Sequence, residues 1–145
     1  MEIIEPKTYD ELKKYYNLRY EVLRKPWFQP KGSERDDKEE TSFHRMIIDE
    51  QNGNAVAVGR LQLNTIEEAQ IRYMAVSDTS QGMGYGSKIV KILENIAREK
   101  GSKKIILQSR ENAVKFYEKN GYKIIKQSHL LFDEIQHWLM EKELS

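Results

Sequence analysis

The chain has 145 residues, the usual size of one domain with a single hydrophobic core. Its 24 basic and 23 acidic residues nearly balance, so we expect neither a nucleic-acid partner nor binding to a membrane surface. The absence of cysteine excludes disulfides, thiolate metal sites and a cysteine nucleophile. No apolar run reaches about 18 residues and the start does not resemble a signal peptide, so we expect a cytoplasmic protein.

The first half of the chain predicts one helix and three strands. Residues 3–4 indicate an opening strand, residues 10–24 a helix, and residues 44–49 and 55–63 two further strands. Between the helix and the second strand, residues 26–42 are polar, charged and interrupted by prolines. This composition is too polar for burial and predicts an exposed loop or a short helix.

A glycine-rich segment follows the next predicted strand, residues 71–76. It consists of Gln81, Gly82, Met83, Gly84, Tyr85, Gly86 and Ser87, and it leads into a helix whose apolar residues recur at helical spacing until Lys100. Glycines let the backbone turn tightly and direct several N–H groups at one point, and the start of the helix adds its own unpaired N–H groups. The segment therefore predicts an anion site suited to a diphosphate.

Two familiar phosphate loops fit this segment poorly. The P-loop needs Gly-Lys-Ser/Thr, whereas Gly86 is followed by Ser87 and Lys88 in the opposite order. The dinucleotide pattern G-x-G-x-x-G lacks its last glycine whether it is started at Gly82 or at Gly84. A glycine-rich turn that binds no ligand stays open as the alternative.

The last third of the chain predicts a buried strand, a short helix and a closing strand. The strand is expected at residues 105–107, the helix ends at Asn120 and Gly121, and the closing strand covers residues 138–144. Phe116 and Tyr117 are neighbours, so they point about 100° apart on a helix. One of these rings can enter the core while the other faces a cleft.

Two motifs in this order resemble the GCN5-related N-acetyltransferase (GNAT) family. Gln81, Gly84 and Gly86 are similar to the family's Gln/Arg-x-x-Gly-x-Gly/Ala loop, which binds the pyrophosphate of coenzyme A. Residues 112–122 resemble its N-x-x-A-x-x-F-Y-x-x-x-G-F/Y segment, although Ala113 here directly follows the asparagine. The predicted order β-α-β-β-β-α-β-α-β-β matches the family as well.

The end of the chain more narrowly resembles the ElaA-like branch of this family. The resemblance rests on Leu107-Gln108, Phe132 and the closing His137-x-x-Met140. That branch usually has a proline before the histidine, where this chain has Gln136.

The resemblance implies a fold and an activity. The fold would be a single α/β domain over residues 1–145, with a mixed, mostly antiparallel sheet of six to seven strands, about four flanking helices and a splay at the coenzyme A site. The activity would be acetyl-coenzyme A-dependent N-acetyl transfer, without a metal, directly to a primary amine of a small molecule, peptide or protein. The acceptor stays open, and family members often form homodimers.

Two other functions remain as alternatives. The chain could hold an acyl-coenzyme A as a sensor or regulatory module without turnover, or it could bind a nucleotide phosphate unrelated to coenzyme A.

The resemblance also implies roles for particular residues. Besides residues 81–87, the coenzyme A contacts would be Met74, Ala75, Val76, Asn112 and Phe116, with backbone groups of Met74 and Val76 free for pantetheine and for the oxyanion. Tyr117 would donate a proton to the leaving thiolate, since a phenol of pKa ~10 is protonated at neutral pH. The alternative for Tyr117 is packing alone, and the alternative for Asn112 is a helix N-cap.

The general base is the least defined part of the predicted site. Gln70 and Gln108 occupy the places where relatives carry a glutamate, and glutamine cannot accept a proton. Glu67 and Glu68 are expected in an exposed turn. The remaining candidates are His44 and His137, which match histidines of the ElaA-like pattern and have an ordinary pKa of ~6.5. Each could instead be structural, a water chain could replace both, and His129 is expected at the surface.

The resemblance implies that the polar segment 26–42 covers the acceptor end of the site, where it could contribute in two ways. Trp27 and Phe28 could line the pocket or pack on the body of the domain. A cationic amine could be attracted by the acidic residues of the segment, whose alternative role is that of a solvated loop: Asp36, Asp37, Glu39 and Glu40.

Overall fold

The computed structural model describes residues 1–145 and has seven strands and three α-helices. In chain order the elements are β1 (Glu2–Ile4), α1 (Tyr9–Leu23), β2 (Phe43–Ile48), β3 (Ala55–Leu63), β4 (Glu68–Val76), α2 (Tyr85–Glu99), β5 (Lys104–Arg110), α3 (Val114–Lys119), β6 (Lys123–Leu131) and β7 (Ile135–Glu143). The predicted order of elements and the α/β class are confirmed. Three short 3-10 helices, rather than a fourth α-helix, complete the structure: Lys25–Trp27, Asp78–Ser80 and Glu111–Ala113.

All seven strands form one open sheet in the order β1-β2-β3-β4-β5-β7-β6. Neighbouring strands are antiparallel except β4 and β5, which are parallel. The β4–β5 pairing joins residues 68–71 to residues 104–107 and then stops, although both strands continue. The sheet is therefore splayed between the carboxyl ends of β4 and β5, as the resemblance implied.

The helices cover both faces of the sheet because strand side chains alternate between faces. Ile47 and Ala57 pack with α2 and α3 in one apolar cluster, whereas their neighbours Met46 and Val58 pack with α1 in a second. The α1 helix begins with a capping box, in which Thr8 and Glu11 each bond the other's backbone N–H. The two clusters hold α1 and α2 on opposite sides of the splay.

Gly59 on β3 allows α2 to lie close to the sheet. A Cβ atom at this position would be 2.5 Å from Cγ2 of Ile89 and 2.7 Å from Sδ of Met74. Opposite Gly59, β4 forms a bulge: Val58 pairs with Ala75 and Arg60 pairs with Arg72, so Tyr73 and Met74 face a single residue. Tyr73 adopts a left-handed backbone with φ of 57° at this bulge. The bulge precedes the end of β4 that borders the splay.

The polar segment 26–42 is more buried than its composition predicts. Asp36 contacts Arg60 at 2.7 Å, and Glu39 contacts both Arg19 at 2.9 Å and Arg60 at 2.7 Å. The side chains of Arg19 and Arg60 are fully buried and need anionic partners to offset their lost hydration. Glu34 is also buried and accepts a bond from the N–H of Gly32. The expectation of an exposed loop therefore holds for most of the segment and is wrong for Glu34, which is buried, while Asp36 and Glu39 are half-buried.

Two smaller differences concern element boundaries. β7 begins at Ile135 instead of residue 138, so His137 lies inside the strand. Glu68 is the first residue of β4 and is half-buried, whereas Glu67 is exposed in the turn as expected.

None of the helices combines the length and the apolar composition that a membrane span needs.

Candidate active site

The glycine-rich segment forms a row of free backbone donors. From Gln81 to Ser87 no backbone N–H has an acceptor within the protein, and the first bonded N–H of the helix is that of Lys88, to the carbonyl of Gly84. Gly82 and Gly84 have φ of 79° and 84°, a conformation that favours glycine. Gly84 also begins α2 without a side-chain cap. Free N–H groups at a helix start form a site for an anion such as a pyrophosphate.

Phe116 on α3 packs against the glycine-rich segment. A Cβ atom on Gly86 would be 3.0 Å from Cζ of the Phe116 ring, so the backbone of the segment lies directly against the ring. Nearby, the amide of Asn120 donates to the Ser87 hydroxyl at 3.2 Å. These contacts fix the start of α2 relative to α3.

A cavity of about 560 Å³ runs from this segment to the splay. It is lined by the end of β4, by α3 and by the glycine-rich segment, and includes these predicted coenzyme A residues: Met74, Ala75, Val76, Gln81, Gly82, Gly84, Tyr85, Gly86, Ser87, Asn112 and Phe116. Met83 is absent from the lining and its side chain is exposed, so the structure does not bring this predicted residue into the cavity.

A second cavity of about 200 Å³ opens on the other side of the splay. Five residues line both cavities: Leu23, Met74, Arg110, Ala113 and Tyr117. The two cavities therefore adjoin at these five residues, between β4 and β5, and together they are called the cleft below. The larger part suits an extended donor and the smaller part suits a compact acceptor.

Backbone groups of β4 face the splay because they have no strand partner there. The N–H of Ser77 donates to the carbonyl of Val56 on β3 at 2.9 Å. Backbone groups alternate in direction along a regular strand, so those of Val76 point away from β3 and towards the cleft, whereas the bulge at Tyr73 and Met74 interrupts the alternation. The pantetheine and oxyanion contacts that the resemblance implies for these two residues stay a prediction.

Tyr117 lies at the junction of the two cavities. Its ring packs against Phe116 at 5.0 Å and Tyr122 at 5.9 Å between centroids, while its hydroxyl bonds no protein group. Burial raises the pKa of the phenol, and the positive charge of Arg110 opposes that shift. Tyr117 is therefore protonated at neutral pH, and its hydroxyl is free to donate.

His137 lies in the smaller cavity with one ring nitrogen free. Its Nδ1 donates to the carbonyl of Ile135 at 3.0 Å, which leaves Nε2 as an acceptor. Burial lowers the pKa of His137, so the ring is neutral at pH 7. His129 is exposed as expected, yet its ring stacks on His137 at 4.2 Å between centroids and lines the same cavity.

His44 has no free ring nitrogen. Its Nδ1 is 2.7 Å from the Tyr15 hydroxyl, and its Nε2 is 2.7 Å from the carbonyl of Glu39. His44 lines neither cavity, and burial lowers its pKa. This geometry favours the structural alternative for His44, as a link between α1, β2 and the segment that follows α1.

The structure also places the side chains of Asn112 and of segment 26–42. Asn112 caps no helix, because it lies inside the 3-10 turn 111–113 and the next helix has no side-chain cap. Trp27 lines the larger cavity, whereas Phe28 is 95% exposed at a left-handed residue and lines neither. Asp36 and Glu39 are bound to buried arginines, so they are not free to attract an amine.

Three arginines of the smaller cavity were missed by the sequence analysis: Arg24, Arg72 and Arg110. They come from α1, β4 and β5, and no local pattern distinguishes them among the many basic residues of the chain. The only available signal was the place of Arg110 just before the Asn112 motif. Gln70 and Gln108 also line this cavity, which supports their alignment with the carboxylate positions of relatives.

The chain matches one family model and several known proteins. The model of the acetyltransferase (GNAT) family matches residues 9–122. An uncharacterized N-acetyltransferase of Bacillus subtilis (strain 168), YjcF, is 29% identical over 143 residues, which cover 99% of this chain and 100% of YjcF.

Two solved structures have the same fold. Escherichia coli ElaA superposes with a TM-score of 0.80 at 19% identity, over 98% of this chain and 97% of ElaA. An aminoglycoside 6'-N-acetyltransferase complexed with coenzyme A gives a TM-score of 0.80 at 17% identity, over 99% of this chain and 97% of the enzyme. The ElaA-like resemblance is thus confirmed at the level of fold. The chain belongs to the GNAT family of acetyltransferases, which use acetyl-coenzyme A as the acetyl donor.

Proposed function

We propose that the protein transfers the acetyl group of acetyl-coenzyme A directly to a primary amine, with both substrates bound at once. The observation that carries this proposal is the cleft at the splay, with Tyr117 and Met74 lining both of its parts. Acetyl-coenzyme A supplies an acetyl group activated as a thioester. A donor on one side and an acceptor on the other meet at these two residues.

The free N–H groups of residues 81–87 bind the pyrophosphate in this proposal. The backbone groups of Met74 and Val76, which have no strand partner on β5, orient the pantetheine arm in the manner of a neighbouring strand. Asn112 and Phe116 line the same cavity and close its side.

His137 accepts the proton of the amine. A free amine has a pKa of ~10.4 and must be neutral to attack a carbonyl. Nε2 of His137 can take this proton because it is the free acceptor of a neutral ring. Gln70 and Gln108 line the same cavity and cannot take a proton, and no Asp or Glu lines it.

The developing negative charges have donors at the junction of the cavities. As the new C–N bond forms, the carbonyl oxygen gains charge and accepts a bond from the backbone N–H of Met74. As the C–S bond breaks, the sulfur takes the proton of the Tyr117 hydroxyl. Tyr117 thus protonates the leaving group after His137 has accepted one proton of the ammonium. The acetylated nitrogen passes its remaining excess proton to the Tyr117 phenolate, which restores the phenol and leaves a neutral amide, and His137 releases its proton to solvent.

A second candidate function is a sensor that binds acyl-coenzyme A without turnover. The observation in its favour is the absence of a carboxylate base from the smaller cavity. The free hydroxyl of Tyr117 and the free Nε2 of His137 favour the enzyme instead, since a binding module needs neither group.

Incubation with acetyl-coenzyme A and a panel of primary amines separates these functions. We expect thiol release that depends on the amine, with an acetylated amine in the mass spectrum. Calorimetric binding of acetyl-coenzyme A with no amine-dependent thiol release across the panel would instead support the sensor.

A further inference from the structure

The smaller cavity is cationic. Guanidinium groups of Arg24, Arg72 and Arg110 line it, and no Asp or Glu does. Only Arg72 contacts a carboxylate, Asp36, at 3.3 Å, and that carboxylate is already bound by Arg60. A cation-binding pocket would show the opposite arrangement of charge.

Arg110 is held in place without being neutralised. Its Nη2 donates to the carbonyl of Leu23 at 2.9 Å, and its guanidinium lies 4.5 Å from the centre of the Trp27 ring. Neither contact carries a negative charge. Burial and the nearby charge of Arg24 lower the pKa of Arg110 to about 10, so it remains charged at neutral pH.

Arg24 is held in the same way. Its Nε donates to the carbonyl of Ser33 at 3.0 Å and its Nη1 to the carbonyl of Leu23 at 3.0 Å. Two aromatic rings flank the guanidinium, those of Tyr73 and Phe132. By contrast, the fully buried Arg19 and Arg60 both contact carboxylates. The core arginines thus contact carboxylates, whereas these two cleft arginines contact none.

The unpaired charges lie beside the proposed base. Arg110 on β5 is the register partner of His137 on β7, and directly opposite residues of an antiparallel pair share one face of the sheet. An anion bound by Arg110 would therefore lie next to His137.

We propose that the acceptor is an amine that also carries a carboxylate, which Arg24 and Arg110 bind while the amine faces Nε2 of His137. This inference rests on the proposed function and specifies its substrate class. A carboxylate forms paired, charge-assisted bonds with a guanidinium. The surrounding positive charge also lowers the pKa of the acceptor ammonium, which eases its deprotonation before attack. Polyamines, which carry only positive charge, are repelled.

The test compares amines that differ only in the acid group. The probes are 4-aminobutyrate against n-butylamine, and phenylalanine against phenethylamine. We expect kcat/KM to be higher for the acid of each pair, and Arg24→Gln to reduce that preference by at least about tenfold. Arg98→Gln is the matched control, because it removes one positive charge from the exposed side of α2 and should leave the preference unchanged.

A second variant protects the test against misfolding. If thermal melts show that Arg24→Gln is unfolded, Arg72→Gln replaces it, and we expect a smaller loss of preference in the same direction. Equal or higher kcat/KM for the amines without an acid would overturn the proposal. A preference for phosphoethanolamine over both aminocarboxylates would overturn the choice of a carboxylate.

A binding measurement separates this inference from the proposed function. Butyrate, which carries the acid and no amine, is titrated into the protein saturated with coenzyme A and followed by NMR. Arg24-dependent shifts of His137 support the anion site even if no amine is acetylated, in which case the proposed function alone fails. No shift of His137 at any butyrate concentration would contradict the anion site.

Discussion

Tyr117 combines a buried ring with a hydroxyl that bonds no protein group. Its neighbour Tyr122 is also buried, but the Tyr122 hydroxyl donates to Glu94 at 2.8 Å and lines neither cavity. The ring centroids of the two tyrosines are 5.9 Å apart. Removal of the hydroxyl from each ring therefore compares a free hydroxyl with a bonded one in nearly the same surroundings.

We expect Tyr117→Phe to lower kcat by roughly 10²–10⁴-fold, because the substitution removes the proton donor and keeps the ring. Coenzyme A affinity should persist, since the anion site and the backbone contacts are untouched. Steady-state thiol release and calorimetry measure the two quantities.

The matched control for this prediction is Tyr122→Phe. It should lower the melting temperature, because Glu94 loses a buried hydrogen bond, and should leave kcat near the wild-type value. A wild-type kcat in Tyr117→Phe would assign Tyr117 to packing alone.

His137 gives the reaction a defined dependence on pH. Burial lowers its pKa from the ordinary 6.5, and the neighbouring charges of His129, Arg110 and Arg24 act in the same direction. The base must be neutral to accept a proton. The rate should therefore rise with pH on the acid side, with a midpoint below 6.5, and should no longer change with pH through the titration of His137 once its ring is neutral.

We expect His137→Ala to remove this acid limb and to lower kcat at pH 7. Glu68→Gln is the control, since Glu68 lies at the far end of β4 and contacts Lys104. It should keep the wild-type rate and profile. An unchanged pH–rate profile in His137→Ala would make the histidine structural and leave proton removal to water.

Residue types predict chemistry more readily than they predict surroundings. Tyr117 and His137 could be singled out as candidates because they match residues of the resembled family and because few types of side chain can transfer a proton at neutral pH. The saturation of His44 by Tyr15 and Glu39 was not predictable, because its partners are 29 and five residues away in the chain. The same holds for Arg110, whose relevance follows from its cross-strand position opposite His137.

At the scale of elements, the start of α2 is the proposed anion site. Gly84 has a positive φ, and a Cβ atom added there would meet no protein atom within 4 Å. Gly101, beyond the other end of α2, has a φ of +86° and equally open surroundings. A side chain at either glycine carries the same backbone strain of about 1–2 kcal/mol, but only the one at Gly84 lies at the proposed pyrophosphate site.

We expect Gly84→Val to weaken coenzyme A binding by at least tenfold, ~1.4 kcal/mol. Gly101→Val should show a similar loss of thermal stability with unchanged affinity. Calorimetry and thermal melts of both variants give the comparison. Equal affinities in two folded variants would remove the pyrophosphate from this loop.

The bounds of an element were predictable where the spacing of its apolar residues agreed with the residues that end helices and strands. The α2 helix is strongly amphipathic and lies between two glycines, and its bounds follow from that pattern. β7 was placed three residues late, because Gln136 and His137 interrupt its apolar pattern. The bulge at Tyr73 has no local signal, since it arises from the tertiary fit between β3 and β4.

At the scale of the molecule, the cleft depends on where two parallel strands stop pairing. The family resemblance implied the splay, but composition and periodicity along one strand carry no information on its neighbour's register. The ion pairs of segment 26–42 likewise depend on the whole molecule, because its carboxylates bind the buried Arg19 on α1 and Arg60 on β3. That network positions α1, whose last turn supplies Leu23 to the junction of the cavities.

A crystal structure with acetyl-coenzyme A tests the central claim of one continuous cleft most directly. We expect the pyrophosphate on the N–H groups of residues 81–87, the thioester carbonyl at the N–H of Met74, and the sulfur within about 3.5 Å of the Tyr117 hydroxyl. The acetyl group should then point towards His137. A pyrophosphate bound elsewhere, or a thioester outside the junction lined by Met74 and Tyr117, would contradict the account.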